Sequence, residues 1–405
     1  MKNPFLKITG LLLIVIFLLA GLLYLTGQVP EINDQDIHPI STSHVDTTTF
    51  ISGEYHLPGE TWNLYERPSE LGWSEAIFTE LNHISDSLQT ASLMVIHKGV
   101  LVYDWGATDE PYITQSIRKG LLNSLYGIYQ EKGNISLDQT IGELRINDTP
   151  ALTAQEQKAT VEHLLQSTSG IYHSALYEVG SWKRNKPERG THQPGETWYY
   201  NNWDFNVLGT IFEQQTGRKI GPAFYEDVAL PIQMQDFAPE DVVYSRKGDW
   251  SEKIMGNESD HPAYMFSMSA RDLGRFGLLY LNKGRWNDHQ VVPESWIEKS
   301  WEPVDISMFE TLKFGYLWWQ FEDGYIYPDD NLGFEDTIYF TSGNRGHLLF
   351  VIPYLDLVVV HRVYTKGVDF WSQMKRGMFG NYAEVDRNEI YRMLEMIREA
   401  HPRYQ

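Results

Sequence analysis

The chain has 405 residues, no cysteine, a formal net charge of −21, and 42% hydrophobic and 14% aromatic content. That length holds one large domain or two smaller ones, each able to bury a sizeable core, and the composition is that of a globular chain. The missing cysteines exclude disulfides, thiolate catalysis, cysteine zinc sites and a lipidated N-terminal cysteine, and the acidic balance excludes nucleic acid as a partner.

Residues 8–25 form an almost unbroken apolar run in which Thr9 is the only plainly polar member. As a helix this run spans about 27 Å, close to the roughly 30 Å of a bilayer's hydrocarbon core. Lys2 and Lys7 precede it and no cation follows closely, which puts the N-terminus in the cytoplasm. The run reads as a membrane anchor. A cleaved signal peptide is the alternative, although no A-x-A-like site follows Leu25. Either way the bulk of the chain is expected on the extracytoplasmic side of the cell membrane. Residues 1–27 are thus the membrane segment, 28–68 a polar spacer rich in Thr, Ser, Asp and Pro, and 69–405 the functional domain.

Helical spacing of Trp73, Ile77, Leu81, Ile84 and Leu88 predicts a helix over 73–88. Two apolar runs around His97-Lys98-Gly99 predict a β-hairpin. Leu121, Leu122, Leu125, Ile128 and Tyr129 predict an amphipathic helix that starts at Ser116 and ends near Lys132-Gly133. Another helix is expected over 160–166. Residues 172–196 have no period and carry Lys183, Arg184, Lys186 and Arg189, so they read as a long loop with a solvated basic face. In that loop Tyr172, His173 and Tyr177 are expected at surface positions, with a place lining the cleft, since they follow the Ser-Gly turn, as the alternative. Helices follow over 204–215 and 270–282, then strands over 337–340, 347–352 and 357–363, and an amphipathic helix over 386–400. Strands at both ends with helices between predict an α+β sandwich. Its antiparallel sheet is built from both ends of the domain, with flanking helices and a mostly helical inserted subdomain. The 13 tryptophans read as core or groove aromatics.

Chemistry enters at Ser116-Ile117-Arg118-Lys119. Residues three apart share a helix face, so the Lys119 amine comes beside the Ser116 hydroxyl. Serine is a poor nucleophile until a base takes its proton, and a lysine withdrawn from water can become that base. Free N–H groups of a first helical turn suit a developing oxyanion. A second S-x-x-K copy, Ser372-Gln373-Met374-Lys375, shows that the tetrad alone is a weak signal.

Downstream segments supply the context. Pro194-Gly195-Glu196-Thr197-Trp198-Tyr199-Tyr200-Asn201-Asn202 resembles the proline-glycine approach to the Tyr-x-Asn motif of the β-lactamase-like serine hydrolases. The family's six-residue step from proline to tyrosine selects Tyr200 and Asn202. Leu164-Leu165-Gln166-Ser167-Thr168-Ser169-Gly170 resembles the family's Leu-Leu-x-x-x-Ser-Gly turn. The segments at 269–279 and 314–319 also resemble family segments, and the resemblance covers about residues 68–364 in the family's order. It points to the branch holding class C β-lactamases, penicillin-binding proteins and esterases. The resemblance implies Ser116 as acylated nucleophile, Lys119 as proton acceptor, Tyr200 as proton relay to the leaving group and Asn202 as orienting amide. It implies a small-molecule or peptide-like substrate, with no cofactor and no metal. The third motif is degenerate. Thr341-Ser342-Gly343 is the best register, with Thr341 where the family has a cation, Gly343 admitting the substrate, and the Asn344 and Ser116 N–H groups as oxyanion hole. A shifted register, Asn344-Arg345-Gly346, stays open, as does an ordinary hairpin turn. The rival function is a non-catalytic module that binds cell-wall peptide or a partner protein, and the intact Ser116, Lys119 and Tyr200 set argues against it.

Overall fold

The structure, a computed structural model, describes residues 56–62, 64–304, 306, 311–322, 325–327, 330–365 and 384–405. The apolar run at 8–25, most of the polar spacer and the Ser372 tetrad lie outside the described residues. Among the described residues no helix is long and apolar enough to cross a membrane.

In chain order the elements that position the site are α1 (Glu75–Ser87), the hairpin β1 (Thr90–His97) and β2 (Val100–Gly106), and the short β3 (Tyr112–Ile113). Then come α2 (Arg118–Glu131), α3 (Val161–Leu165), α4 (Asn202–Thr216), β4 (Val242–Ser245), β5 (Ala263–Met268) and α5 (Ala270–Leu281). The last group is β6 (Leu312–Phe314), β7 (Trp319–Phe321), β8 (Ile338–Gly343), β9 (His347–Ile352), β10 (Leu357–Val363) and α6 (Arg387–Ala400). A seven-stranded antiparallel sheet runs β2-β1-β10-β9-β8-β7-β6, so the N-terminal hairpin pairs with the last strand. The expected α+β sandwich is therefore what the chain forms.

Strand alternation divides the core in two. Leu93, Val95, Val359 and Phe350 pack with Phe78 and Leu81 of α1 and with Leu394 and Ile397 of α6. Met94, Ile96, Val358 and Leu349 face the other way, toward Leu121 and Leu125 of α2 and Leu273 and Phe276 of α5. Helix α5 lies so close to the sheet that a Cβ on Gly277 would stand 2.5 Å from Val358 Cγ1.

Helix α2 departs from the amphipathic expectation. All residues from Arg118 to Tyr129 are buried, because the sheet covers one side and the inserted helices the other. Its central polar residue, Asn123, is satisfied internally. Asn123 donates to Ser300 Oγ at 2.9 Å and to the Tyr316 carbonyl at 2.8 Å, and accepts from Tyr280 Oη at 2.6 Å.

Two features were not legible as periodicity. A small sheet, β3-β5-β4, ties the chain just before Ser116 to the insertion, and β6 and β7 extend the main sheet at one edge. The domain also begins earlier than residue 69. Trp62 is fully buried beneath Arg275, and the Tyr65 N–H donates to the Leu101 carbonyl at 2.9 Å, so residues 56–62 and 64–68 pack on the domain although their composition is that of a spacer.

Candidate active site

Ser116 sits on a single 3-10 turn, Gln115–Ile117, that runs directly into α2. β3 pairs with β5, and the Thr114 N–H donates to the Phe266 carbonyl at 2.8 Å, which anchors the chain up to that turn. The next residue, Gln115, adopts φ +54°, a left-handed backbone that costs a non-glycine residue roughly 1–2 kcal/mol. Tyr177 Oη donates to Gln115 Oε1 at 2.8 Å and holds that conformation. The abrupt reversal leaves Ser116 partly exposed while its neighbours Gln115 and Ile117 are buried.

Lys119 Nζ donates to Ser116 Oγ at 2.7 Å and to Tyr200 Oη at 2.5 Å. The amine is also held over the Tyr200 ring at 4.3 Å and the Phe205 ring at 4.5 Å. Burial pushes its pKa well below the usual lysine value, and the neighbouring Arg118 cation pushes it further. Burial pushes the Tyr200 phenol up to about 12, so it keeps its proton at neutral pH. The site therefore holds a serine, a lysine amine that readily stays neutral, and a protonated phenol in one hydrogen-bonded chain. A neutral amine accepts a proton, and the phenol can give one up.

Arg118 is the contributor that the sequence displayed without revealing its role. It is 1% exposed, donates to Asn206 Oδ1 at 2.8 Å and lies 4.3 Å from the Tyr264 ring centroid. A cation in the third position of the tetrad was the available signal. Its effect on Lys119 depends on burial, which the tetrad does not encode.

Tyr200 is positioned by the turn after α3. Ser167, at φ +60°, donates from Oγ to the Tyr199 carbonyl at 2.6 Å and accepts from the Asn201 N–H at 3.0 Å. Ser169 Oγ donates to Asp204 Oδ1 at 2.6 Å, and Asn201 Nδ2 donates to the same oxygen at 2.9 Å. Burial holds the Asp204 carboxyl well above its usual range. Asn201 caps α4, and Asn202 is the first helical residue, with an amide that makes no hydrogen bond among the described residues. The structure thus brings Ser116, Lys119 and Tyr200 together and leaves the Asn202 amide uncommitted.

The third segment abuts the Ser116 turn through Gly343. A Cβ there would stand 2.6 Å from the Thr114 carbonyl oxygen and 2.9 Å from Gln115 Cβ. Asn344 follows at an exposed position. Gly346 of the alternative register lies elsewhere, with its missing Cβ facing the Val385 carbonyl at 2.7 Å. Thr341 is 1% exposed and lies under α2, its Cγ2 only 2.5 Å from where a Cβ on Gly120 would be.

Around Tyr200 stands an aromatic wall. The Trp319 ring stacks on Tyr200 with centroids 5.5 Å apart, Trp182 lies at 5.1 Å, and Trp198 meets Trp319 at 5.6 Å. Trp182 and Trp319 are half-buried.

The 172–196 loop corrects two expectations. Tyr172 and His173 are 6% and 4% exposed, not surface residues. The basic cluster is a solvated face only in part: Arg184 and Arg189 are exposed, while three of its four members have specific partners. Lys186 pairs with Glu178 at 2.7 Å, Arg189 with Glu156 at 2.6 Å, and Lys183 donates to Asn257 Oδ1 at 2.6 Å. Buried carboxylates recruited Lys186 and Arg189, and Lys183 is held by the Asn257 amide and the Met255 and Gly256 carbonyls.

The sequence model of the beta-lactamase family matches residues 75–367. An uncharacterized protein of Alkalihalophilus pseudofirmus is 22% identical over 222 residues, which span 50% of this chain and 62% of that protein. A Bacillus anthracis structure described as a 6-aminohexanoate-dimer hydrolase superposes with TM-score 0.57 at 18% identity, covering 91% of this chain and 89% of the other. A β-lactamase/D-alanine carboxypeptidase from Pseudomonas syringae superposes with TM-score 0.54 at 14% identity, covering 80% and 98%. At these identities the structural likeness is one of fold.

Proposed function

The chain belongs to the beta-lactamase family, and from that premise we propose that it is a serine hydrolase cleaving an amide or ester through an acyl-enzyme on Ser116. The observation that carries the reading is the unbroken hydrogen-bonded chain from Ser116 Oγ through Lys119 Nζ to Tyr200 Oη.

Neutral Lys119 takes the Ser116 proton as Oγ attacks the substrate carbonyl, giving a tetrahedral oxyanion and a lysine ammonium. The N–H groups of Ser116 and Asn344 stabilise the oxyanion, and Asn202 orients the lysine and the substrate. Tyr200 gives its proton to the departing amine or alcohol and is reprotonated from Lys119, so the leaving group departs neutral and the base is regenerated. Water then repeats the sequence on the acyl-enzyme and releases the acid.

The acyl group is proposed to be neutral and partly apolar. The aromatic wall offers apolar area, Thr341 replaces a cation, and Lys186 and Arg189 of the 172–196 loop are committed to Glu178 and Glu156. The solved neighbours described as an aminohexanoate-dimer hydrolase and a D-alanine carboxypeptidase are amide hydrolases by name, which supports an amide or peptide-like substrate. The domain is further proposed to work outside the cytoplasm, tethered by residues 8–25, and a C-terminal alkaline phosphatase fusion should be active there.

A fluorophosphonate probe tests the chemistry directly. It should label the protein once, on the peptide carrying Ser116, and Ser116→Ala should abolish labelling and lower turnover by several decades, about a millionfold. Unchanged labelling of Ser116→Ala would overturn the assignment.

A further inference from the structure

The residue before the nucleophile is gripped by three separate parts of the fold. Gln115 is 7% exposed and stands at φ +54°, in the backbone region that favours glycine. On one side its Cβ meets β8, where a Cβ on Gly343 would stand 2.9 Å away, so the strand fits there as glycine. Behind it, the Thr114 N–H is fixed to the Phe266 carbonyl of β5 at 2.8 Å. At its tip, Oε1 accepts from Tyr177 Oη of the 172–196 loop at 2.8 Å.

Tyr177 is itself anchored before it reaches Gln115. It too has a positive φ, +59°. Its N–H donates to Glu252 Oε2 at 3.0 Å. Glu252 is 3% exposed and also accepts from Asn257 Nδ2 at 2.8 Å and Ser245 Oγ at 2.5 Å. The Tyr177 ring packs with Ile113 of β3 against Leu176 and against Ala263 and Met265 of β5. Backbone and ring thus have anchors of their own, and the hydroxyl reaches across to Gln115. Two residues in left-handed conformations, 62 positions apart, are joined through their side chains.

A left-handed residue other than glycine persists where its surroundings over-determine it. A return of Gln115 to negative φ would re-aim the peptide that joins it to Ser116, and with it the Ser116 N–H and Oγ. We propose that Tyr177 is a positioning residue for acylation. Its hydroxyl clasps Gln115 in the left-handed conformation, which aims the Ser116 N–H at the oxyanion and Oγ at the substrate carbonyl. This role rests on the acyl-enzyme reading of Ser116. Tyr177 acts through Gln115 and takes no part in proton transfer.

The test is the rate of fluorophosphonate labelling of the full-length chain, resolved into a binding constant and a limiting rate. Tyr177→Phe keeps the ring and loses the hydroxyl, so the limiting rate should fall roughly fivefold while the binding constant stays within about twofold. The acid limb of the rate profile, set by Lys119, should not move. Gln115→Ala and Gln115→Gly both delete the clasp, but glycine adopts φ +54° unaided. Gln115→Gly should therefore be labelled roughly tenfold faster than Gln115→Ala. In the Gln115→Gly background, Tyr177→Phe should have no further effect on the rate. A labelled wild type with an unchanged limiting rate in Tyr177→Phe would overturn the proposal alone, as would equal rates for the glycine and alanine variants. A shifted acid limb in Tyr177→Phe would also overturn it, by placing the hydroxyl in the proton path. A wild-type chain that is not labelled would overturn the hydrolase reading, and the proposal with it.

Discussion

Gly120 offers a sharp test of how β8 lies against α2, because a Cβ there would meet Thr341 Cγ2 at 2.5 Å and Trp318 Cε2 at 3.5 Å. Methyl groups pack at about 3.5–4.0 Å, so Gly120→Ala must push α2 or β8 away by roughly 1 Å. Overpacking of this kind costs about 1–3 kcal/mol, while alanine in a helix interior recovers about 1 kcal/mol of propensity over glycine. The net loss is up to about 2 kcal/mol, read as a fall of up to about 5 °C in melting temperature. Thr341→Ser removes the offending methyl and itself costs about 1 kcal/mol of burial. On that background Gly120→Ala should become neutral or stabilising, a coupling of about 2 kcal/mol. Gly120 follows Lys119 directly, so the single variant should also lose kcat/KM, and the double variant should regain it. The assay is a double-mutant cycle by denaturant unfolding, with hydrolysis of a neutral ester run in parallel. Additive losses would refute the placement of Thr341 beneath α2, and with it the register that brings Gly343 to the Ser116 turn.

Lys119→Arg should abolish acylation, since arginine does not give up its proton, and Tyr200→Phe should cost roughly two to four decades in kcat/KM. Stopped-flow measurement of acyl-enzyme formation checks both, and a normal rate in either variant would remove that residue from the proton path. Arg118→Gln withdraws a cation that depresses the Lys119 pKa, so the lysine should hold its proton to higher pH. The acid limb of the kcat/KM profile should therefore move upward in pH, while Arg118→Lys should restore it. Small neutral esters or uncharged amides should be cleaved with higher kcat/KM than penicillins, because Thr341 supplies no charge-assisted partner for a carboxylate. A preference for the penicillin would refute that reading of the third motif.

What the sequence displayed well was local. The hairpin, the helix start at Ser116, the Ser167-Thr168-Ser169-Gly170 turn and the Tyr200 approach each carry their information within a dozen residues. Glycine, proline and short polar side chains act there on their own backbone. What escaped depends on partners far apart in the chain. Arg189 meets Glu156 across 33 positions, and Tyr177 meets Gln115 across 62. No period marks such a loop, so Tyr172 and His173 read as exposed until the fold closes over them. Helix α2 failed differently. Its Arg118, Lys119, Asn123 and Ser124 imply a wet face, yet each is buried because a specific acceptor, aromatic ring or hydroxyl awaits it. The strands β6 and β7 are only three residues each, below the length at which alternation separates a strand from a turn.

The distribution of charge ties these observations to the chemistry. The chain carries 54 acidic against 33 basic residues, yet the ionisable side chains buried around Ser116 are Lys119, Arg118 and Tyr200. The buried carboxylates are committed elsewhere. Glu156 and Glu178 hold basic residues of the 172–196 loop, Asp204 braces the turn that carries Tyr200, and Asp272 accepts backbone N–H groups at positions 235–237. None makes a hydrogen bond or ion pair with Arg118 or Lys119. A cation that cannot be neutralised by a carboxylate acts on whatever charge appears beside it. Before reaction, the adjacent group is the lysine, and Arg118 favours its neutral, basic form. In the proposed reaction the new charge is the tetrahedral oxyanion, which a nearby cation favours as it forms. Because Arg118 is buried, a substrate carboxylate cannot reach it to form an ion pair. Under the proposed mechanism its field is therefore reserved for charge created by the reaction, which would let an acidic protein run base catalysis at a serine.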